Sequence, residues 1–269
     1  QAVDLCYRDE STSHELHFYS QRVEDPTDLL TPLTQLLREL DVKGECQLTL
    51  SNSQYHAVQV DKPNVPDAEL HAALPWQIKD LVPISPEDIL LDYYQIPIEN
   101  IAQQKLNVIC SSLSTVKPIT DFLFAQGIEL KGITVADYAF CNLVPKSDDA
   151  HIVLYQQPMQ ELDIIIVKQG CLYFCRNLHG FSQIGDKTEQ ELAFGIIDSL
   201  SLEIQRSIDY YERQLKQAPI KQISVILPIA SESKIIDMLA NNTHLPVKSL
   251  QFPENYHVDR ANAVSFGSL

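Results

Sequence analysis

The apolar and polar positions over residues 2–8 and 15–23 read as two short strands, joined by a polar turn around residues 9–13. The period then changes. Leu29, Leu30, Leu33, Leu36, Leu37 and Leu40 lie on one helical face, predicting a helix over 26–40 that ends before Gly44. Strands follow at 45–50 and 54–60. Pro63, Asn64 and Pro66 punctuate the stretch 61–69 and mark a boundary. Beyond it, Leu70, Leu74, Ile78 and Leu81 predict a helix over 67–81, with Pro75 kinking it or ending it early. Residues 90–96 and 105–110 look like a strand pair across a polar loop. A helix at 115–125, a strand at 128–133 and a helix at 135–143 complete the first half.

The second half begins after Lys146-Ser-Asp-Asp149. Strands are predicted at 151–155, 162–168 and 171–176, with Gln169-Gly170 as a tight turn between the last two. Thr188-Glu-Gln-Glu191 is a capping box that opens the longest helix. Leu192, Ile196, Leu200, Ile204, Ile208, Tyr211 and Leu215 predict one continuous apolar stripe along it, ended by Pro219. A strand at 222–227, a helix at 231–240, a strand at 247–251 and a short helix at 259–266 follow. The halves share element order but no repeated sequence. The plan is α/β, with one lobe over 1–148 carrying an inserted subdomain near 66–114, and a second over 149–269. Two such lobes, one carrying an insertion, are the plan of the two-lobed actin-like ATPase architecture.

Charge and composition narrow what such a fold does here. Among 269 residues, 36 acidic against 20 basic side chains leave a formal charge of −16. That surface repels phosphate backbones and anionic lipid, so nucleic acid and direct membrane insertion are not expected. No apolar run approaches the roughly 18–20 residues of a spanning helix. Only 8 residues are Gly, and no phosphate-cradling G-x-x-x-x-G-K-[ST] or G-x-G-x-x-G occurs. The 6 Cys are scattered among apolar neighbours without C-x-x-C, and no H-E-x-x-H or G-x-S-x-G occurs. Buried or half-buried thiols, no metal site and a reducing, cytoplasmic setting are the expectation.

Two longer motifs carry a family resemblance. The run Trp76-Gln-Ile-Lys-Asp-Leu-Val-Pro83, leading through an acidic turn to Asp92-Tyr-Tyr94, resembles a segment of PilM-type pilus assembly proteins. Leu202-Glu-Ile-Gln-Arg-Ser-Ile-Asp-Tyr-Tyr211 is similar to that family's Leu-x-x-Glu-Ile-x-Arg-Ser-Leu-x-Phe/Tyr-Tyr helix, and Ala261-Asn-Ala-Val-Ser-Phe-Gly-Ser-Leu269 to its terminal helix. The resemblance is nearest the MshI-like branch, from assembly of mannose-sensitive haemagglutinin type IV pili. It implies a cytoplasmic protein peripheral to the bacterial inner membrane. Its implied partner is the cytoplasmic tail of a PilN-like bitopic inner-membrane protein, and the scaffold helps position the assembly motor ATPase. A related reading is the cytoplasmic domain of a general-secretion L-type protein.

Actin-like nucleotide sites use two D-x-G hairpins for Mg²⁺ and phosphate and a Gly-Gly turn against adenosine. The position matching the second hairpin is Val153-Leu-Tyr-Gln-Gln-Pro158, with Gln156 and Gln157 and neither acid nor glycine. The position of the adenosine turn holds Pro228 and Ala230. The first hairpin is ambiguous: Val3-Asp-Leu-Cys6 keeps Asp4 but has Cys in place of glycine, and the alternative is a true first strand upstream of Gln1. A nucleotide-free scaffold with no catalytic residues and no cofactor is therefore expected, with an active ATP/Mg²⁺-binding protein as the alternative. For a docking module, affinity comes from a few aromatic anchors. By family position they are Trp76, Tyr93 and Tyr94 in a groove between the first lobe and its insert, Trp76 serving equally well as core. Strand alternation sends Tyr93 and Tyr94 to opposite sides.

Overall fold

The predicted strand and helix periods are realised along nearly the whole chain in a computed structural model, which describes residues 2–8, 15–25, 28–98, 104–253 and 256–269. The expected turn at 9–13 and the loop within 99–103 lie outside the described residues. The chain divides into two units, Gln1–Ala136 and Asp137–Leu269.

In the first unit, β1 (Ala2–Arg8) and β2 (Leu16–Arg22) form an antiparallel pair. Helix α1 (Leu30–Leu40) follows, burying Leu33, Leu36 and Leu37 as its spacing requires. Its last turn closes at Asp41, which adopts a left-handed conformation. Next come β3 (Gly44–Leu50) and β4 (His56–Asp61), then α2 (Leu70–Ile78) with Pro75 inside it. This helix stops three residues short of Leu81, which is exposed, and Val82 takes the core place expected of it. Strands β5 (Ile89–Gln95) and β6 (Lys105–Ser112) lead to α3 (Leu113–Ala125), capped by the Ser112 hydroxyl, and β7 (Ile128–Val135).

The inserted subdomain is a three-stranded antiparallel sheet of order β4-β6-β5. It takes an edge strand from β4, so it begins at His56, upstream of the expected start near 66. Its core is Leu70, Leu74 and Ile78 of α2 against Val60, Leu106, Val108 and Cys110 of the sheet. Each such fully buried aliphatic side chain stabilises the unit by about 1.5–3 kcal/mol relative to exposure. β3 pairs instead with β7, in parallel.

The second unit opens with α4 (Ala136–Leu143). Phe140 stacks on Tyr155 with ring centroids 3.8 Å apart, and Cys141 Sγ lies 3.6 Å from the Gly170 carbonyl oxygen. These contacts place the division at 136/137, ahead of the expected 148/149. β8 (His151–Gln156), β9 (Leu162–Lys168) and β10 (Cys171–Leu178) are antiparallel neighbours. Gln169 (φ 53°) and Gly170 (φ 75°) make the tight turn between the last two. A short turn α5 (Glu189–Glu191) starts the long helix with the capping box complete on Thr188 and Glu191. The long helix continues as α6 (Ile197–Asp209), followed by β11 (Gln222–Ile226), α7 (Glu232–Thr243), β12 (Val247–Ser249) and α8 (Ala263–Gly267). The sheet order is β10-β9-β8-β11-β12, with β8, β11 and β12 parallel. Numbered within the unit this is 3-2-1-4-5, the arrangement of a ribonuclease H-like motif.

The long helix is not continuous. Between α5 and α6 the backbone bulges at Phe194 (φ −93°, ψ 52°) and Gly195 (φ 101°). The extra residue shifts the stripe by one, so Ile197 is buried in the place expected of Ile196. Leu192, Leu200, Ile204, Ile208, Tyr211 and Leu215 are buried as predicted.

Candidate functional site

The inserted sheet has two unlike faces. Ile89, Leu91 and Tyr93 of β5 pack with Val58 of β4 onto the α2 core. Tyr93 also meets the His71 ring at 5.6 Å, and the His71 Nε2 lies 3.8 Å from the Asp92 carboxylate. Alternation turns Tyr94 to the other face. There it pairs in register with Asn107, which accepts a 3.1 Å hydrogen bond from Gln59. Ala57, Leu90 and Ile109 share that face by register, and the Tyr94 hydroxyl oxygen is buried. Trp76 stands on α2, on the helix side of the sheet, and is 59% exposed, so it is no part of the core. The three aromatic candidates therefore do not converge on one groove. Trp76 and, just beyond the helix, Leu81 offer exposed apolar surface, with Glu69 and Asp80 exposed before and after the helix.

The residues that the resemblance matches to nucleotide-site turns have these surroundings in the second unit. At the end of β8 the side chain of Gln156 turns inward, 4% exposed. Its amide donates to the carbonyls of Gln160 at 2.8 Å, Ser182 at 3.2 Å and Phe181 at 3.4 Å. The hairpin turn is thus tied down by its own side chain. Gln157 is half-buried and Pro158, exposed, brings no N–H. At the adenosine turn, Pro228 is half-buried and Ala230 exposed. Ile229 closes over Gly185, where a Cβ would come within 2.7 Å of the Ile229 Cγ2. Glu232, in the first turn of α7, accepts from the Leu227 N–H at 2.9 Å and pairs with Arg260. Its carboxylate is thus held by a loop N–H and a guanidinium. Asp4 sits inside β1, across from Ser20, and not in a turn.

Sequence reasoning missed a buried polar cluster. Asp137, 3% exposed in the first turn of α4, accepts from the Tyr155 hydroxyl at 2.6 Å. The Cys175 thiol also hydrogen-bonds it, and burial, with Asp137 beside it, holds that thiol well above its ordinary pKa. Asp163, on the neighbouring strand, accepts from Asn177 at 3.0 Å. A buried carboxylate with two donors at a helix start is satisfied, and the cluster orders α4 against the sheet. The sequence signal was slight: single acids within apolar runs. Among the described residues no His, Cys, Asp and Glu side chains group as metal ligands.

A second surface was also missed. A cavity of about 1080 Å³ lies between the end of β10 and the long helix, lined by Leu178, Phe181, Phe194, Leu202 and the Arg176–Glu203 ion pair. Phe194 is 93% exposed on the helix bulge. Gly195 inside the predicted stripe was its only advance sign.

No family model and no curated protein matches the sequence. Solved structures do. The chain is similar to a PilM-PilN type IV pilus biogenesis complex at 14% identity, covering 94% of this chain and 90% of that one, with a TM-score of 0.69. The cytoplasmic domain of EpsL, an inner membrane component of the Vibrio cholerae type II secretion system, matches at 11% identity over 97% and 92% of the chains, TM-score 0.54. A Bacteroides thetaiotaomicron protein with an actin-like ATPase fold matches at 9% identity over 98% and 91%, TM-score 0.54. The fold is that of the actin-like ATPases. Among the described residues, no helix is long and apolar enough to cross a membrane.

Proposed function

We propose that this chain is a non-catalytic scaffold of a type IV pilus assembly machine, of the mannose-sensitive haemagglutinin type and nearest the MshI-like branch. It binds the cytoplasmic tail of a PilN-like inner-membrane protein, and through that membrane-tethered partner it helps to position the assembly motor ATPase. The observation that carries this reading is the near end-to-end likeness to the PilM-PilN complex at a TM-score of 0.69. The motif resemblances at residues 76–94 and 202–211 point the same way from sequence. The likeness to the EpsL domain favours a second reading, the cytoplasmic domain of a general-secretion L-type protein, with the lower TM-score of 0.54.

The scaffold role accords with a nucleotide site whose second-unit positions are filled by Gln156, Pro228 and Glu232. Affinity then resides in surface that folding leaves uncovered. Trp76 is the anchor on the inserted subdomain, because a largely exposed indole contributes little to the core and buries a large area on docking. The net charge of −16 draws in a tail with basic flanks.

The test is binding of a labelled PilN-like tail peptide to wild type, Trp76→Ala and Tyr94→Ala. Trp76→Ala is expected to weaken binding about 30-fold or more, the scale of an interface hot spot, with an unchanged melting temperature. Loss in Tyr94→Ala alone would move the tail to the opposite face of the sheet. A peptide that wild type does not bind, while an L-type secretion partner is captured, would replace the pilus reading with the second one.

A further inference from the structure

A knob and a hole share one surface of the second unit. The hole is the cavity of about 1080 Å³ between the end of β10 and the long helix. Leu178, Phe181 and Leu202 supply apolar wall, and Arg176, Lys187 and Glu203 stand among its polar groups. The knob is Phe194, which belongs to the same lining and is nevertheless 93% exposed, so it stands at the rim. Leu202, further along the helix, is 52% exposed.

The helix gives up regular geometry to hold the knob there. The bulge at Phe194 and Gly195 interrupts the run from α5 to α6, while Leu192 before it and Ile197 after it are buried. Bulges of this kind inside helices gather at functional positions. A ring left in water contributes little to the core, yet a partner that covers it removes ~150–250 Å² of mostly apolar surface from solvent. The cavity beside it is walled by apolar side chains of the same character.

We propose that a second copy of the chain docks on this surface, in a two-fold dimer in which each Phe194 enters the other copy's cavity. The adjacency of knob and hole argues for this occupant. Where a projection borders its own complementary hollow, a two-fold rotation sets each projection over the other's hollow, and the contact closes at two copies. A different molecule needs both a ring to fill the hole and a hole to take the ring, whereas a second copy carries the two by construction. Charge at the rim is complementary in the same sense. Lys187 on the lining and the exposed Asp186 beside it form no salt bridge within the chain, among the described residues. A second copy brings an acid to the one and a base to the other. The Arg176–Glu203 pair, 2.7 Å apart, enters the contact with its charges already matched. The whole copies, at −16 each, repel one another. The dimer therefore tightens as salt screens that repulsion, the reverse of what an oppositely charged partner shows.

Analytical ultracentrifugation of the chain 1–269 tests this. Wild type at ~100 μM is expected to contain a substantial dimer fraction, which grows on raising NaCl from ~0.05 to ~0.5 M. Phe194→Ala removes both knobs and is expected to weaken the dimer ~100-fold or more, with the melting temperature unchanged because the ring is exposed. Ser182→Trp, at an exposed position on the lining, plugs both holes and is expected to do the same. An equimolar mixture of the two variants regains one contact, the intact Phe194 of one in the open cavity of the other. Its dimer fraction is expected to exceed that of either variant alone. A wild type that stays monomeric at both salt concentrations overturns the proposal, and the occupant is then not a second copy. So does a Phe194→Ala dimer as tight as wild type, or a mixture with no gain over its components. Species that grow beyond two copies overturn the two-fold closure.

Discussion

The Arg260 guanidinium donates to the Val225 carbonyl at 3.0 Å and the Leu250 carbonyl at 3.1 Å while pairing with Glu232. One side chain thereby ties the C-terminal segment to the sheet and to the start of α7. Arg260→Ala strips those carbonyls of a donor and leaves Glu232 without its countercharge. Urea unfolding is expected to show a loss of about 3 kcal/mol, the scale of breaking a hydrogen-bonded ion pair from one side. Residue-scale expectations from the sequence fared unevenly. Burial pushes the Cys6 and Cys110 thiols up to about 11 and Cys141 to about 12, whereas Cys171, expected to be covered like the rest, is exposed beside its hairpin turn. Pro158 and Pro228 were legible because proline removes a donor in any context. Asp137 was not, because its donors Tyr155 and Cys175 arrive from strands distant in sequence.

At the scale of elements, local period located nearly every strand and helix, and the exceptions share a cause. The stripe from Leu192 to Leu215 reads as unbroken because counting by three and four absorbs a one-residue insertion. The backbone instead bulges at Gly195, whose φ of 101° suits glycine alone. Gly195→Ala is expected to lower thermal stability by about 1 kcal/mol without changing the fold, measured by denaturation of the variant beside wild type. The same substitution is expected to leave β-sheet amide protection intact, since the bulge lies outside the sheets. The inserted sheet offers the complementary case. β4 reads as an ordinary strand, and nothing local assigns it to β6 and not to β3. Pairing is a long-range choice, decided where Val60 meets Leu106, Val108 and the α2 side chains.

For the whole molecule, the distribution of glycine and acid bears on the nucleotide question. The second unit's hairpin and adenosine turn are occupied by Gln156, Ile229 and Glu232, all held by protein partners. Millimolar ATP with Mg²⁺ is therefore expected to leave the melting temperature within about 1 °C, because a ligand that does not bind the folded state cannot stabilise it. A concentration-dependent rise of several degrees would restore the ATP-binding alternative.

The sequence by itself determined the elements, their order, the two-unit plan and the scarcity of glycine, because each of these is written in neighbouring residues through period, turn chemistry and composition. Only the tertiary structure decided which strands pair, that α4 belongs with the second unit, and that Trp76 is exposed while Tyr93 joins a core. Those outcomes depend on contacts between residues far apart in the chain, and their energies appear only once the backbone has brought the partners together.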